Sequence, residues 1–245
     1  MVPGTIDILG FNVFSLTLKE ISVNSKKTII NTINAYSYVI SKQDTLFKQA
    51  LTSSDILLPD GFPIVYAAKL LQKKTIQKIA GEDIFFHLIN EAQNRNLKCF
   101  FLGSSNKTLQ LIKSRINKEY PNIRLDFYSP PYVPQFSEVE SDEMKKAVSQ
   151  FKPDILFIGM TAPKQEKWVF ENQSELDATV ICSIGAVFDF FAGTVKRPSN
   201  FWINLKLEWF VRLLREPKRL WKRYLIYSPI FFADLILAKL KLSRS

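Results

Sequence analysis

The chain has 245 residues, 47% of them hydrophobic, which is enough for one large α/β domain with a real core and excludes a disordered or low-complexity polymer. Its net charge of +10 is uneven: from Arg197 onward eleven Lys and Arg stand against three acids, so this stretch is suited to an anionic partner such as phosphate, anionic lipid or nucleic acid. Cys99 and Cys182 lie in apolar runs without paired spacing, which excludes a zinc knuckle and suits buried thiols in a reducing cytoplasm, and no signal peptide is expected at the N-terminus.

In chain order, residues 28–34 form a β-rich run that breaks into polar residues, with Thr32 and Asn34 at the break. Residues 56–58 read as a short buried strand ended by Pro59, and Gly61 opens the next turn. Residues 62–71 then carry apolar side chains at helical spacing. Asp60 therefore stands at the C-terminal end of a strand just before a helix, on the edge where open α/β sheets bind ligands. The plainer reading is that Asp60 caps the helix. For Thr32 and Asn34 the plainer reading is turn formation.

Residues 83–93 form an expected helix that holds His87, the only histidine. A strand at 98–102 leads through Gly103, Ser104 and Ser105 into an amphipathic helix at 107–119. A strand at 123–127, a loop marked by Pro130, Pro131 and Pro134, and a helix at 138–151 follow. Residues 154–158 run to Gly159, Pro163 opens a helix with Trp168, and residues 179–184 run to Gly185. This alternation predicts an α/β domain over residues 1–195, Rossmann-like, with a mainly parallel sheet and helices on both faces. Its strands all lie before the tail, so the domain is expected to fold without it.

Residues 196–245 read as a basic, apolar, helical appendage. Trp202, Leu205, Trp209 and Leu213 recur near helical spacing up to Pro217, and residues 224–240 are strongly apolar. That run is shorter than the ~20 apolar residues of a spanning helix, and Pro229 and Asp234 interrupt it. A segment lying in the membrane interface fits the coincidence of aromatic, aliphatic and basic residues. The alternative is a helical hairpin packed on the domain or on another subunit.

Several chemistries lack their parts. No partners place His87 in a triad, and neither a dinucleotide-binding nor a P-loop glycine pattern is present. The acids Glu138, Glu140, Asp142 and Glu143 suit a solvated helix start, and no acidic pair at a strand end offers a metal site. What remains is a carboxylate at a strand end that can take a proton, and N–H donors at helix N-termini after Gly103–Ser104 and Gly159–Pro163, turns that also occur merely to change direction. Gln165 is placed to reach a base or sugar, Glu166 in the same first helical turn has helix-start charge as its plainer reading, and Gly185 and Asp189 are lesser candidates for the same cleft.

Five segments in order (28–38, 53–71, 79–83, 159–166 and 208–219) give the chain its resemblance to the WecG/TagA/CpsF glycosyltransferase family, from about Thr28 to Tyr224. The resemblance implies an inverting, metal-independent hexosyltransferase without cofactors, taking a UDP-sugar donor and a polyprenyl-diphosphate-linked acceptor in cell-wall or surface-polysaccharide synthesis. It implies N-acetylmannosamine, its uronic acid or a related hexose as the sugar. The expected place is cytoplasmic, peripheral on the inner face of the membrane and in contact with its anionic surface; no nucleic acid is expected, and a homo-oligomer is left open. Asp60 takes the place of the family's proposed base, with Thr32 and Asn34 beside it. Arg212, Arg219 and Arg223 would hold a diphosphate, with Trp209 and Leu213 as the packing face of their helix. Lys78 stands where an arginine is expected and keeps the charge without the bidentate geometry. Arg197-Pro198-Ser199 departs from Arg-Ala-Pro. The rivals are a non-enzymatic binder of anionic polymers and another UDP-sugar enzyme such as an epimerase.

Overall fold

The computed structural model describes residues 4–195, 202 and 208–242, apart from the side chains of Glu208, Arg212 and Arg219. The chain opens with an antiparallel hairpin, β1 (Thr5–Ile8) and β2 (Phe11–Phe14). Leu9 and Gly10 form its two-residue turn with φ of 54° and 86°, the positive-φ pair that matches the strand twist. Alternation buries Ile6, Ile8, Phe11 and Val13 on one side.

The main sheet holds β3 (Thr28–Ile33), β4 (Ile56–Pro59), β5 (Lys98–Gly103), β6 (Arg124–Tyr128), β7 (Ile155–Gly159) and β8 (Val180–Ser183). Their order is β4-β3-β8-β7-β5-β6, and each neighbouring pair is parallel. The central strands are buried on both faces, which is why Cys99–Leu102 and Ile155–Ile158 read as unbroken apolar runs. The expected parallel sheet with helices on both faces is the observed one.

On one face, Ile30, Leu58, Phe101, Phe157 and Cys182 pack under α4 (Gly81–Arg95), α5 (Asn106–Glu119) and α8 (Val187–Ala192). On the other face, Phe100, Leu156 and Ile181 meet α6 (Glu138–Phe151) and α7 (Lys164–Asn172). Near the β4 edge, Ile33 and Leu57 meet α1 (Ala35–Ser41), α2 (Thr45–Thr52), α3 (Phe62–Gln72) and the hairpin. Cys99 and Cys182 are free, buried thiols whose pKa values are pushed up by burial.

In the tail, helices Glu208–Arg215 and Pro217–Trp221 lead into a π-helical stretch, Lys222–Tyr227, and a final helix, Ser228–Leu242. Of the helix expected over 201–215, the first part lies outside the described residues apart from Trp202. The final helix bears on the expectation that the α/β domain folds without the tail. Phe231 and Leu235, 0% and 1% exposed, sit in the same core cluster as the hairpin, Ile33 and Leu57. The tail therefore completes the core over the β4 edge. Asp234, which breaks the apolar run in sequence, pairs with Lys42 at 2.6 Å. Its charge, added to burial, pushes the Tyr38 hydroxyl up to about 12. Beyond this inner side, Ile236, Leu237 and Leu242 are more than half exposed. No described helix is long and apolar enough to cross a membrane.

Candidate active site

Thr32 and Ile33 of β3 lie in register with Leu58 and Pro59 of β4. The ladder continues one step past the strands, since the Asp60 N–H donates to the Ile33 carbonyl at 2.9 Å. Asp60 and Asn34 thus leave neighbouring strand ends together, with Thr32 one turn of the pleat behind. The N-cap of α3 is Gly61, at φ 102°, a backbone conformation that favours glycine. Asp60 precedes this cap by one residue. Asp60 is half-buried.

Asn34 does cap α1. Its Oδ1 accepts from the Ser37 N–H and Oγ, both at 3.1 Å, which leaves its side-chain N–H groups for another partner. After α3 the chain returns to the same sheet edge, where the Ile79 N–H donates to the Pro59 carbonyl at 3.0 Å. This anchors the half-buried Lys78 beside the end of β4. The Asp83 carboxylate accepts from the Ala80 N–H at 2.7 Å and fixes the start of α4.

The glycines of the expected donor turns stand close together. Gly103 and Gly159 are register partners in β5 and β7. A Cβ on Gly103 would lie 2.6 Å from the Gly159 carbonyl oxygen, and one on Gly185 would lie 2.4 Å from that of Met160. Both approaches are too close for any side chain, so the three turns pack on one another before any ligand is considered. Ser104 adopts φ 63°, and its carbonyl accepts from the Ser129 hydroxyl at 2.8 Å. Ser105 then caps α5 by accepting from the Thr108 N–H at 3.2 Å.

Pro163 follows a cis peptide bond and holds the N-cap of α7. Gln165, 4% exposed, joins two of the turns: its Oε1 accepts from the N–H groups of Met160 and Gly185, each at 3.2 Å. Its Nε2 donates to Glu166 Oε1 at 2.8 Å, which orients the amide. Asp189 lies in α8, where Thr194 Oγ donates to its carbonyl and carboxylate oxygens at 3.1 and 3.3 Å.

Glu166 is 2% exposed, and desolvation pushes its carboxyl up to about 7 against the hydrogen bond from Gln165. Its Oε2 has no hydrogen-bonding protein partner, and neither have Asn31 Oδ1 on β3 and Ser183 Oγ on β8. Buried polar atoms left this way cost about 1–3 kcal/mol each. Asn31 and Ser183 were not candidates in the sequence, because each sits inside a strand-like run without a local motif. Their signal is a polar residue at a core-facing position.

Linkage gives this carboxyl a measurable consequence. The unfolded chain loses the Glu166 proton near its ordinary value, 4.5, whereas the fold holds it to about 7. Between those values the folded state binds more protons, so stability falls as pH rises, by ~3 kcal/mol from this group when about 1.4 kcal/mol is taken per unit. Below the lower value its contribution is fully present, and above the upper one it is gone. Chemical denaturation from pH 4.5 to 8 should show this fall in the wild type and flatten it in Glu166→Gln. Identical pH slopes for the two proteins would show that Glu166 is not held protonated.

Tyr36, in the first turn of α1, links the tail to these elements. The Arg223 guanidinium lies over its ring at 5.1 Å from the centroid, and Tyr227 meets it edge-on at 5.5 Å. Burial raises the Tyr36 hydroxyl pKa; Arg223 opposes that shift, and Tyr227 and Glu166 add to it. Arg223 is thus brought beside the helix that Asn34 caps. The side chains of Arg212 and Arg219 lie outside the described residues. Trp209 packs on Phe210 and Tyr224, each with centroids 5.7 Å apart, and Leu213 is half-buried.

His87 sits away from this edge, with Nε2 at 2.6 Å from the Ile21 carbonyl. Among the described residues no group of three or more His, Cys, Asp or Glu is placed to hold a metal ion.

Comparison with known proteins adds to this geometry. The model of the glycosyl transferase WecG/TagA/CpsF family matches residues 6–245. An N-acetylglucosaminyldiphosphoundecaprenol N-acetyl-beta-D-mannosaminyltransferase of Bacillus subtilis (strain 168) is 33% identical over 197 residues, 80% of this chain and 75% of the relative. The protein of that name from Bacillus spizizenii is 31% identical over 201 residues, 82% and 76% of the two chains. One from Staphylococcus aureus (strain MW2) is 25% identical over 249 residues, 98% and 95%.

Proposed function

Because the chain belongs to the WecG/TagA/CpsF family and is a glycosyltransferase, we propose that it moves an N-acetylmannosamine-type sugar from a UDP donor to a sugar on polyprenyl diphosphate, without a metal ion, at the inner face of the membrane. The observation that carries this reading is the bond from the Asp60 N–H to the Ile33 carbonyl. It holds Asp60, the residue after β4, beside the end of β3 with Thr32 and Asn34, at the carboxyl end of the strands, where parallel sheets commonly bind ligands. The names of the relatives supply the acceptor class and the sugar.

In the proposed step Asp60 takes the proton of the acceptor hydroxyl as its oxygen attacks the anomeric carbon. The bond from that carbon to the nucleoside diphosphate breaks on the opposite side. An α-linked donor thereby gives the β linkage that the relatives' names carry. Thr32 and the Asn34 amide N–H groups are suited to hold the sugar. The turns after β5, β7 and β8, stitched by Gln165, are suited to present N–H groups to the nucleotide. Lys78, Arg212, Arg219 and Arg223 would meet the charge of the diphosphates.

Incubation with a panel of UDP-sugars and a lipid-diphosphate acceptor analogue tests the reading. Transfer of an N-acetylmannosamine residue is the expected product, and donor hydrolysis or epimerisation without transfer would overturn it. Excess EDTA should leave the rate unchanged, because the leaving diphosphate is met by protein groups. Loss of activity with EDTA and its return with Mg²⁺ or Mn²⁺ would refute the metal-free step.

A further inference from the structure

Phe62 follows Asp60 by two residues and begins α3. Among the described residues, Phe62, Tyr66 and Leu70 of that helix face Phe232, Leu235 and Ile236 of the final helix across a groove of 310 Å³. Every lining side chain is apolar or aromatic. Ring contacts run along the groove, with Phe62 stacked on Tyr66 at 6.2 Å and Tyr66 meeting Phe232 at 6.3 Å. Phe62, Tyr66 and Ile236 remain 48%, 42% and 57% exposed, so hydrocarbon seated there would leave water.

We infer that this groove seats the first isoprene units of the acceptor's prenyl chain, a step that rests on the proposed acceptor class. Three observations support that occupant over a peptide or a nucleotide. One end of the groove is lined by Phe62, two residues after Asp60, where the acceptor sugar would react. The tail that forms its far wall also carries Arg223, held over Tyr36 at 5.1 Å, so a cation and the apolar wall lie on one continuous run of helix. From Arg223 to Ile236 that run rises by roughly 20 Å at about 1.5 Å per residue, which suits a diphosphate joined to a hydrocarbon. The walls offer no side-chain amide or carboxylate to a peptide backbone or a base.

The test uses the full chain, farnesyl diphosphate as probe, and buffer free of vesicles and detergent. Tyr66→Asn and Ile236→Asn, both at exposed positions, place an amide against the hydrocarbon and should weaken farnesyl diphosphate binding about tenfold. Binding of inorganic diphosphate should not change. Leu237→Asn, also exposed and outside the groove lining, should leave both affinities as they are. Equal farnesyl affinity in all four proteins overturns the inference, as does farnesyl diphosphate binding no tighter than inorganic diphosphate. A change in sedimentation without a change in farnesyl affinity would overturn it in favour of a second copy of the chain covering the groove.

Failure of the underlying reading looks different. If groove variants lose farnesyl affinity while the wild type transfers no sugar to any lipid-linked acceptor, the seat stands and the transfer reading falls. If the wild type transfers sugar with a KM for the lipid-linked acceptor that Tyr66→Asn and Ile236→Asn leave unchanged, transfer stands and the seat falls.

Discussion

Asp60→Asn is expected to slow sugar transfer by ~10²–10⁴-fold, the range for loss of a positioned general base. The amide is close in size to the carboxylate and keeps the backbone N–H that bonds to the Ile33 carbonyl, so the strand ends should stay in place. The amide cannot accept the acceptor's proton as the glycosidic bond forms. Donor affinity should therefore stay near the wild-type value, because the proposed donor contacts are groups on β3 and on the turns after β5, β7 and β8. The predicted pattern is a fall in kcat with the donor's Kd kept, measured by initial rates and by nucleotide binding. A folded Asp60→Asn protein with near-normal turnover would remove Asp60 from the mechanism. A protein that loses donor binding and turnover together would make Asp60 a donor ligand.

The contrast between Asp60 and Asn34 shows how far local sequence reaches. The plain reading is a helix cap for Asp60 and turn formation for Asn34. Asn34 caps α1, with Oδ1 on Ser37. Asp60 stands one residue before the N-cap of α3, which is Gly61. A one-residue difference in where a helix begins separates the two positions, and that is set by φ at Gly61 rather than by side-chain pattern.

The parallel strands were legible because burial on both faces makes each an unbroken apolar run between polar turns. The hairpin of β1 and β2 was not read: its turn is Leu9-Gly10 in place of an Asn-Gly or Asp-Gly signal. Asn31, Ser183 and Glu166 each hold a buried oxygen without a hydrogen-bonding partner only after β3, β8 and α7 are assembled. No spacing along the chain encodes that burial. The role of Arg223 is likewise a matter of assembly, since its neighbour Tyr36 lies far back in sequence.

The tail poses the same problem, and it carries the second large effect. Its apolar content predicts contact with something apolar, yet composition cannot divide the contact between core and lipid. The structure buries one side of the final helix and leaves the other exposed. Phe231 is fully buried and meets Tyr38 edge-on at 5.3 Å, so Phe231→Ala should cost ~3–5 kcal/mol. At about 2–4 °C per kcal/mol for a chain of this size, Tm should fall by roughly 6–20 °C. Truncation after Tyr227 removes Phe231 and Leu235 together and strips the hairpin and α3 of their cover. That loss approaches the ~5–15 kcal/mol total stability of a domain, so the truncated chain should fail to melt cooperatively. Leu237→Ser with Leu242→Ser should instead keep Tm, since both side chains are 57% and 55% exposed, and should weaken binding to anionic vesicles in flotation. A truncated chain that melts like the full one would separate the tail from the core. A double serine variant that floats as well as wild type would mean that the exposed side of the helix is not where lipid is met.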